Sequence, residues 1–448
     1  MFFFPFLNHC PCMLMFLLFT LFFTSTEAYD PLDPNGNITI TWDVVSLTSD
    51  GYVAVVTINN FQQYRHITAP GWFVGWSWVE KEIIWAVVGG EATDQGDCSE
   101  FTETFPHCCK KDPTIIDLHP GTPYNKQFAN CCKGGVLRTW AQDPPNAVAA
   151  FQVSVGRAGN NKTAIIAPQN FTLKTPGPGY TCNQPKIAEL TEFTSPNERR
   201  VTEAILTWKV TCTYSQFLVQ KPPNCCVSLS SFYSENIVPC PNCSCACQDN
   251  SFQSGSCIDS SNSSNLASIV NSPGEKGVEP LVECTRHMCP IKVHWHIKYN
   301  YYEYWRVKIT VFNFNYRKNY SDWNVVVQHP NFDKLTQIFS YNYKSLAPYG
   351  STNDTVMLWG VKFFNDVLMQ AGPNGNVQSE LLFRKNKSSF SFRSGWGFPE
   401  KIYFNGDECS MPPPDAYPRL PNGCSTQEVS LLALMMTSFI LLLLCTYA

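Results

Sequence analysis

The cysteines constrain this chain more than any other feature. There are 21 in 448 residues, and nearly all fall in two groups. Cys98, Cys108, Cys109, Cys131 and Cys132 form the first. Cys182 and Cys212 lead into the second, which runs from Cys225 and Cys226 through Cys240, Cys243, Cys245, Cys247 and Cys257 to Cys284 and Cys289, while Cys409 stands apart. Free thiols at this density do not persist in a reducing cytosol, so an oxidising compartment and a disulfide-stapled fold are expected. Three pairs are adjacent in sequence: Cys108-Cys109, Cys131-Cys132 and Cys225-Cys226. A disulfide prefers Cα atoms ~4.4–6.8 Å apart. Extended backbone also sends neighbouring side chains to opposite faces. Each pair is therefore expected to tie its segment in two directions rather than to close on itself. The run 240–247 has one CxxC step followed by CxC steps, unlike the paired halves of a structural zinc site, so disulfides and no metal are expected there.

Both ends read as processing signals. An apolar run from Met13 to Phe23 precedes Thr-Ser-Thr-Glu-Ala28, a signal peptide of residues 1–28 that leaves Tyr29 first in the mature chain. Residues 429–444 form an apolar tail of 16 residues, short of the ~20 needed to span a bilayer, with no Lys or Arg after it. The small residues Asn422-Gly423-Cys424 precede it, which is the pattern of a GPI-attachment signal, with Asn422 as the attachment residue and 423–448 as the propeptide. Cys10, Cys12 and Cys445 leave with the two ends, and loss of Cys424 as well makes the remaining cysteine count odd. Eight N-x-S/T triplets start at Asn37, Asn161, Asn170, Asn242, Asn262, Asn319, Asn353 and Asn386. Secretion and lipid tethering on the outer face of the plasma membrane follow.

Between the ends the chain alternates with period two. Ile38, Ile40, Trp42 and Val44 share one parity; so do Tyr52, Ala54, Val56 and Ile58, then Phe151, Val153 and Val155. Leu206, Trp208, Val210, Cys212 and Tyr214 repeat the pattern, as do Val293, Trp295, Ile297 and Tyr299, and Trp305, Val307, Ile309 and Val311. Short alternating runs separated by Gly/Pro turns predict an all-β chain of two β-sandwich domains. Pro176-Gly-Pro-Gly179 marks a boundary. The first sandwich is expected over 29–175, and the second over 181–410 with a Cys-rich insertion at 225–289. A Pro-rich tether follows at 411–422. Residues 355–370 lean to strand.

Candidate chemistry is sparse. Trp72, Trp76 and Trp78 share strand parity, with a spacing of roughly 6.5–7 Å per two residues. Such a row is either a flat apolar platform for a neutral sugar polymer or core packing. His287, His294 and His296 offer a weak metal reading, set aside because strand-face histidines beside Arg306 and Lys308 are ordinarily solvated. Asp43, Asp50, Glu80, Glu82, Asp94 and Asp97 are available carboxylates, but nothing marks a pair at the ~5–9.5 Å that glycoside hydrolysis needs. No GxSxG, HExxH, Walker or Rossmann pattern occurs. No catalytic residue and no cofactor is expected. The net charge of −4, without a basic block, excludes nucleic acid as main partner.

Longer motifs carry a resemblance. Cys225-Cys226-Val227-Ser228 looks like the CCVS motif of the COBRA family of plant cell-wall proteins. Pro106-His-Cys-Cys-Lys-Lys-Asp-Pro113, Cys131-Cys-Lys-Gly-Gly135, His287-Met-Cys-Pro290, Glu303-Tyr-Trp-Arg-Val307, Gln328-His-Pro-Asn-Phe332 and Met357-Leu-Trp-Gly360 extend the similarity over nearly the whole mature chain. The resemblance implies a non-enzymatic, GPI-anchored glycoprotein of the apoplast. Its N-terminal region would be similar to cellulose-binding modules and would act on cellulose microfibril deposition, orientation or crystallinity. On that basis Tyr29, Trp42, Trp72, Trp76 and Trp78 are the expected carbohydrate contacts. Of these, Trp42 fits a core place best, because it alternates with Ile38, Ile40 and Val44. Two other readings stay open: a scaffold that meets wall proteins through its Cys-rich domain, and a wall glycoside hydrolase.

Overall fold

The alternating runs become strands, and the parity of each decides what is buried. The computed structural model describes residues 30–159, 161–194, 200–219, 223–232, 234–241, 257–259, 282–284, 290–314, 319–346, 354–362, 368, 375–386 and 396–418. The signal peptide, Tyr29, the sequons at Asn242, Asn262 and Asn353, His287, Cys243, Cys245, Cys247 and Asn422 lie outside the described residues. Among the described residues nearly all regular structure is β, with short 3-10 turns and helical residues at Lys362 and Leu368, where the strand expected over 355–370 does not continue.

The chain divides into two units, Met1–Lys221 and Pro222–Ala448. In the first, one sheet runs in the spatial order Lys186–Ile187, Leu206–Tyr214, Ile38–Leu47, Gly51–Asn60, Val148–Gly156, Ile83–Val88, with Tyr180–Cys182 also paired to Leu206–Tyr214. The facing sheet runs Gly90–Ala92, Thr114–Asp117, Phe73–Ser77, Gln169–Lys174. Ile38, Ile40, Trp42 and Val44 bury completely against Val74, Trp76, Phe171 and Leu173 of that second sheet. This is the aligned two-layer arrangement of a sandwich. The boundary expected at 175 is incorrect. Ile38–Val44 pairs antiparallel with Leu206–Cys212, and Cys182 bonds Cys212, so the first unit recruits strands beyond the Pro176–Gly179 turn. That turn is a loop within the unit, and its Gly179 carbonyl accepts from Ser215 N.

In the second unit a six-stranded sheet runs Ser234–Val238, Cys225–Ser231, Ile291–Asn300, Tyr304–Asn313, Asn376–Arg384, Leu335–Ile338. A five-stranded sheet, Tyr341–Leu346, Thr355–Gly360, Val325–Gln328, Lys401–Phe404, Asp407–Glu408, shares one core with it. The CCVS segment therefore does not belong to an insertion. It is an inner strand, paired in parallel with Ile291–Asn300. Cys225, Val227 and Leu229 face the core, while Ser228 and Ser230 bond His294 and His296 on the opposite face. Residues 355–360 form a strand, as expected.

Among the described residues the disulfides are Cys98–Cys109, Cys131–Cys132, Cys182–Cys212, Cys225–Cys409 and Cys226–Cys240. Cys225 and Cys226 tie their strand in two directions, as their parity requires. The expectation fails at Cys131-Cys132, which bond each other across Cα atoms 3.8 Å apart. The backbone there is a turn: Cys132 sits at φ +70°, and the Asp117 carboxylate accepts from the N–H groups of Cys132, Lys133 and Gly135 at 2.7, 2.8 and 2.9 Å. The opposite-face rule holds for extended chain only. The expectation fails at Cys108-Cys109 too, since Cys109 bonds Cys98 while Cys108 is a buried free thiol.

Candidate carbohydrate-binding surface

The row of tryptophans is in register but faces inward. In Phe73–Ser77 the even residues point to the core, and the same parity reaches Trp72 and Trp78. Trp42, Trp72, Trp76 and Trp78 are only 1, 1, 2 and 2% exposed. Trp42 meets the edges of Trp76 and Trp78 at ring-centroid distances of 5.0 and 6.0 Å, and Trp72 stacks on Phe151 at 5.8 Å. These four rings are core, not sugar contacts. Two hydrophobic sheets facing each other bury the face that carries the largest apolar side chains, because each such burial stabilises by roughly 1.5–3 kcal/mol. Close backbone approach fixes the entry to this strand. Gly71, at φ +100°, lies where a Cβ would come within 2.2 Å of the Gly134 carbonyl oxygen, and Trp72 N donates to Gly135 O at 3.0 Å.

Exposed aromatics of the first unit sit elsewhere. Phe61 (38% exposed) and Trp140 (44%) lie side by side, ring centroids 5.4 Å apart. They are 79 positions apart in sequence. One buried side chain brings them together. Asn60, at the end of strand Gly51–Asn60, donates from Nδ2 to the carbonyls of Arg65 and Arg138 at 3.0 and 2.9 Å, and its own carbonyl accepts from Trp140 N at 3.0 Å. The Ile67–Leu137 bridge, with backbone bonds of 2.8 and 3.0 Å, closes the same two loops further along. A buried amide satisfied in this way fixes loop geometry more firmly than surface contacts would.

A charged network next in the same loop fastens the segment around Asp30. Arg65 pairs with Asp30 at 3.1 Å, both side chains being 10% exposed. Tyr64 donates to Asp30 at 2.6 Å, and the Arg65 guanidinium lies 3.5 Å over the Tyr214 ring. The nearby Asp33 accepts from Gln63 N at 2.7 Å. Burial pushes its carboxyl up to about 6 despite that bond. Arg138, whose carbonyl accepts from Asn60, is paired through its guanidinium with Asp143 at 3.3 Å.

The other candidates divide cleanly. Asp43 is buried and accepts from Thr207 Oγ1 at 2.7 Å, and desolvation raises its pKa. Asp50 accepts from Arg157 N at 3.0 Å, Glu82 from Glu80 N at 2.8 Å and Asp97 from Ser99 N at 3.0 Å, while Asp94 pairs with Lys110. Each of these carboxylates serves a local turn or pair, and Glu80 is exposed. His294 and His296 are taken up by serines: Ser228 Oγ is 2.6 Å from His294 Nδ1, and Ser230 Oγ is 2.9 Å from His294 Nε2 and 2.8 Å from His296 Nδ1. Burial lowers both imidazoles, His294 to about 4. No metal-ligating cluster occurs among the described residues. Of the described sequons, Asn161, Asn170, Asn319 and Asn386 stand exposed and Asn37 is half-buried.

Comparison with known proteins agrees with this architecture. Residues 52–215 match the COBRA N-terminal domain and residues 224–418 the COBRA family C-terminal domain, so the family's own division falls beside the observed one. The chain is 62% identical to Protein COBRA of Arabidopsis thaliana over 422 residues, covering 94% of this chain and 92% of that one. It is 64% identical over 417 residues to COBRA-like protein 1 of Oryza sativa subsp. japonica, covering 93% of each. With COBRA-like protein 4 of Arabidopsis thaliana it shares 57% over 407 residues, covering 91% of this chain and 93% of the relative. With both of its units matched and identity sustained almost end to end, the chain belongs to the COBRA family.

Proposed function

We propose that this protein is a non-enzymatic cell-wall glycoprotein, tethered by a GPI lipid at Asn422 to the outer face of the plasma membrane, that holds β-1,4-glucan and so influences how cellulose chains assemble. The observation that carries the reading is the Phe61–Trp140 pair. The two rings are 38% and 44% exposed and tilted 47° to each other, on loops joined by hydrogen bonds through Asn60, with Arg65 and Arg138 each paired to a carboxylate. Pyranose rings of a glucan present C–H faces that pack on aromatic rings without needing a counter-charge. Rigid placement keeps the entropic cost of binding low. The family's cellulose-related role supports the polymer's identity, and the local engagement of the available carboxylates favours holding over hydrolysis. The Pro-rich stretch from Met411 onward would keep the units clear of the membrane.

The test is depletion of the mature glycoprotein from solution by microcrystalline cellulose. Phe61→Ala combined with Trp140→Ala is expected to weaken binding at least ~10-fold, the scale of losing about 1.4 kcal/mol. Equal depletion of wild type and double variant would overturn the assignment. Release of soluble sugar from the cellulose, abolished by a single carboxylate substitution, would overturn the non-enzymatic reading.

A further inference from the structure

The second unit carries an aromatic surface of a different kind. Along Ile291–Asn300 the parity that buries Val293, Trp295 and Ile297 should also bury Tyr299. It does not, because the register shifts between Ile297 and Tyr299: Ile297 pairs with Val307, and Tyr299 with Arg306. A bulge re-aims the side chains that follow it. Tyr299 (44% exposed) turns outward and stacks on Tyr301 (45%), ring centroids 5.6 Å apart and planes 29° apart. Tyr302 beside them is 84% exposed.

Unlike the ledge of the first unit, this one is edged with cations. Lys298 Nζ lies 5.5 Å from the Tyr299 ring centre, and Arg306 lies 5.3 Å over Phe339; both also pair with Glu380. Lys385 donates from Nζ to the Tyr301 carbonyl and from its backbone N to Glu303 O at 2.8 Å. It thereby joins the tyrosines to a cleft of about 500 Å³ lined by Glu303, Lys334, Arg384, Lys385 and Asn386. Lys334 pairs with Asp333 at 2.9 Å, and Lys298 and Arg306 share the one carboxylate Glu380, so across ledge and cleft the five cations Lys298, Arg306, Lys334, Arg384 and Lys385 face three carboxylates, Glu303, Asp333 and Glu380.

We propose that this surface binds an acidic polysaccharide, a polymer of uronate pyranoses. The stacked tyrosines would take the sugar faces, and the cations of the cleft would take the carboxylates. Stacking alone would suit a neutral glucan, but a neutral chain would leave the excess of cations over carboxylates on this surface unmatched. Charge alone would suit an anionic lipid headgroup, but a lipid makes no use of two parallel ring faces. Only a charged sugar engages both. This surface lies in the other unit from the glucan ledge and takes a different polymer, so the inference does not depend on the glucan reading.

The test is titration calorimetry of the enzymatically deglycosylated protein, because the sequon residue Asn386 lines the cleft, with de-esterified oligogalacturonate of about ten residues. The same oligomer fully methyl-esterified, cellohexaose and phosphatidylserine vesicles serve as comparisons. The acidic oligomer is expected to bind at least ~10-fold more tightly than its ester, and its affinity should fall as salt is raised, since exposed charges are screened within a Debye length. Tyr299→Ala with Tyr301→Ala should weaken it ~10-fold, as should Lys334→Gln with Arg384→Gln, and the latter pair should also flatten the salt dependence. Comparison of acid with ester needs no variant, so a folding defect cannot mask the answer. No binding of the acidic oligomer, equal affinity for acid and ester, insensitivity to both double substitutions, or binding of vesicles alone would overturn the proposal. Cellulose depletion that survives the tyrosine substitutions would leave the Phe61–Trp140 assignment standing whatever happens here.

Discussion

The two units expose aromatic pairs of similar spacing, 5.4 Å for Phe61–Trp140 and 5.6 Å for Tyr299–Tyr301, in different electrostatic settings. In the first unit Arg65 is paired with Asp30 in a buried network with Tyr64. In the second, Lys298 and Arg306 share the one carboxylate Glu380 beside the rings. On the readings proposed above, ring geometry alone does not decide which sugar each sandwich holds; the disposition of charge around the rings does.

The largest effects should come from breaking what supports the first ledge. Asp30→Ala strips Arg65 of its buried partner, and removal of one member of a buried pair costs about 3–5 kcal/mol. Thermal unfolding should show that loss, with weaker cellulose binding because the 61–67 loop loses its anchor. Trp76→Ala opens the core where Trp42 and Trp78 converge and should cost a similar 3–5 kcal/mol. Phe61→Ala and Trp140→Ala should each change stability by no more than about 1 kcal/mol, since these rings are already partly exposed. A large loss of stability from the ledge substitutions, or none from Trp76→Ala, would erase the distinction between core and surface aromatics.

A second contrast is pH. Asp33 in the first unit has its folded pKa raised by burial from 3.8 to about 6. Its contribution to stability is full below the unfolded value and is lost as pH rises through about 6. His329 in the second unit is the reverse. It is fully buried, with Nε2 2.8 Å from Trp396 O and Nδ1 accepting from Asn331 N at 3.0 Å, so both nitrogens are satisfied in the neutral form. Burial lowers its pKa from 6.5 to about 4. Its contribution is full above 6.5 and is lost as pH falls through about 4. Each is of order 2–3 kcal/mol at most. Melting curves from pH 4 to 7 should show Asp33→Asn gaining on wild type as pH rises and His329→Gln losing least at low pH. His107, half-buried in the first unit, is lowered as well, so the difference between Asp33→Asn and wild type is the quantity to read. Parallel curves for either variant and wild type would contradict that group's role. The smallest expected effect is the exposed Lys401–Glu408 pair, where Lys401→Ala should cost under about 1 kcal/mol and vanish at high salt.

The sequence carried the strands well and the sites poorly, for the same reason. Period-two alternation is local, so Ile38–Val44, Tyr52–Ile58 and Trp305–Val311 are legible directly. Which strands pair is not local: Ile38 faces Cys212, far along the chain, and Pro176–Gly179 looks like a linker until that pairing is known. Parity places Trp72, Trp76 and Trp78 on one face correctly but leaves open whether that face meets water or another sheet. Phe61 and Trp140 carry no motif at all. The Asn60 side chain makes their neighbourhood, and nothing in the run around it announces the long-range hydrogen bond to Arg138. Tyr299 is hidden in the opposite way: it obeys the alternation in sequence, and a bulge set by the partner strand turns it out. The vicinal Cys131–Cys132 bond likewise follows from a turn held by Asp117 rather than from spacing.

Hydroxyl-radical footprinting of the mature glycoprotein, with cellohexaose in one arm and acidic oligogalacturonate in the other, tests the contrast between the two ledges most directly. Glucan should protect Phe61 and Trp140 and leave Tyr299 and Tyr301 as reactive as in the free protein, while the uronate oligomer should do the opposite. Protection of the same rings by both sugars, or of neither pair by its own, would contradict the assignment of neutral and charged polymers to separate units.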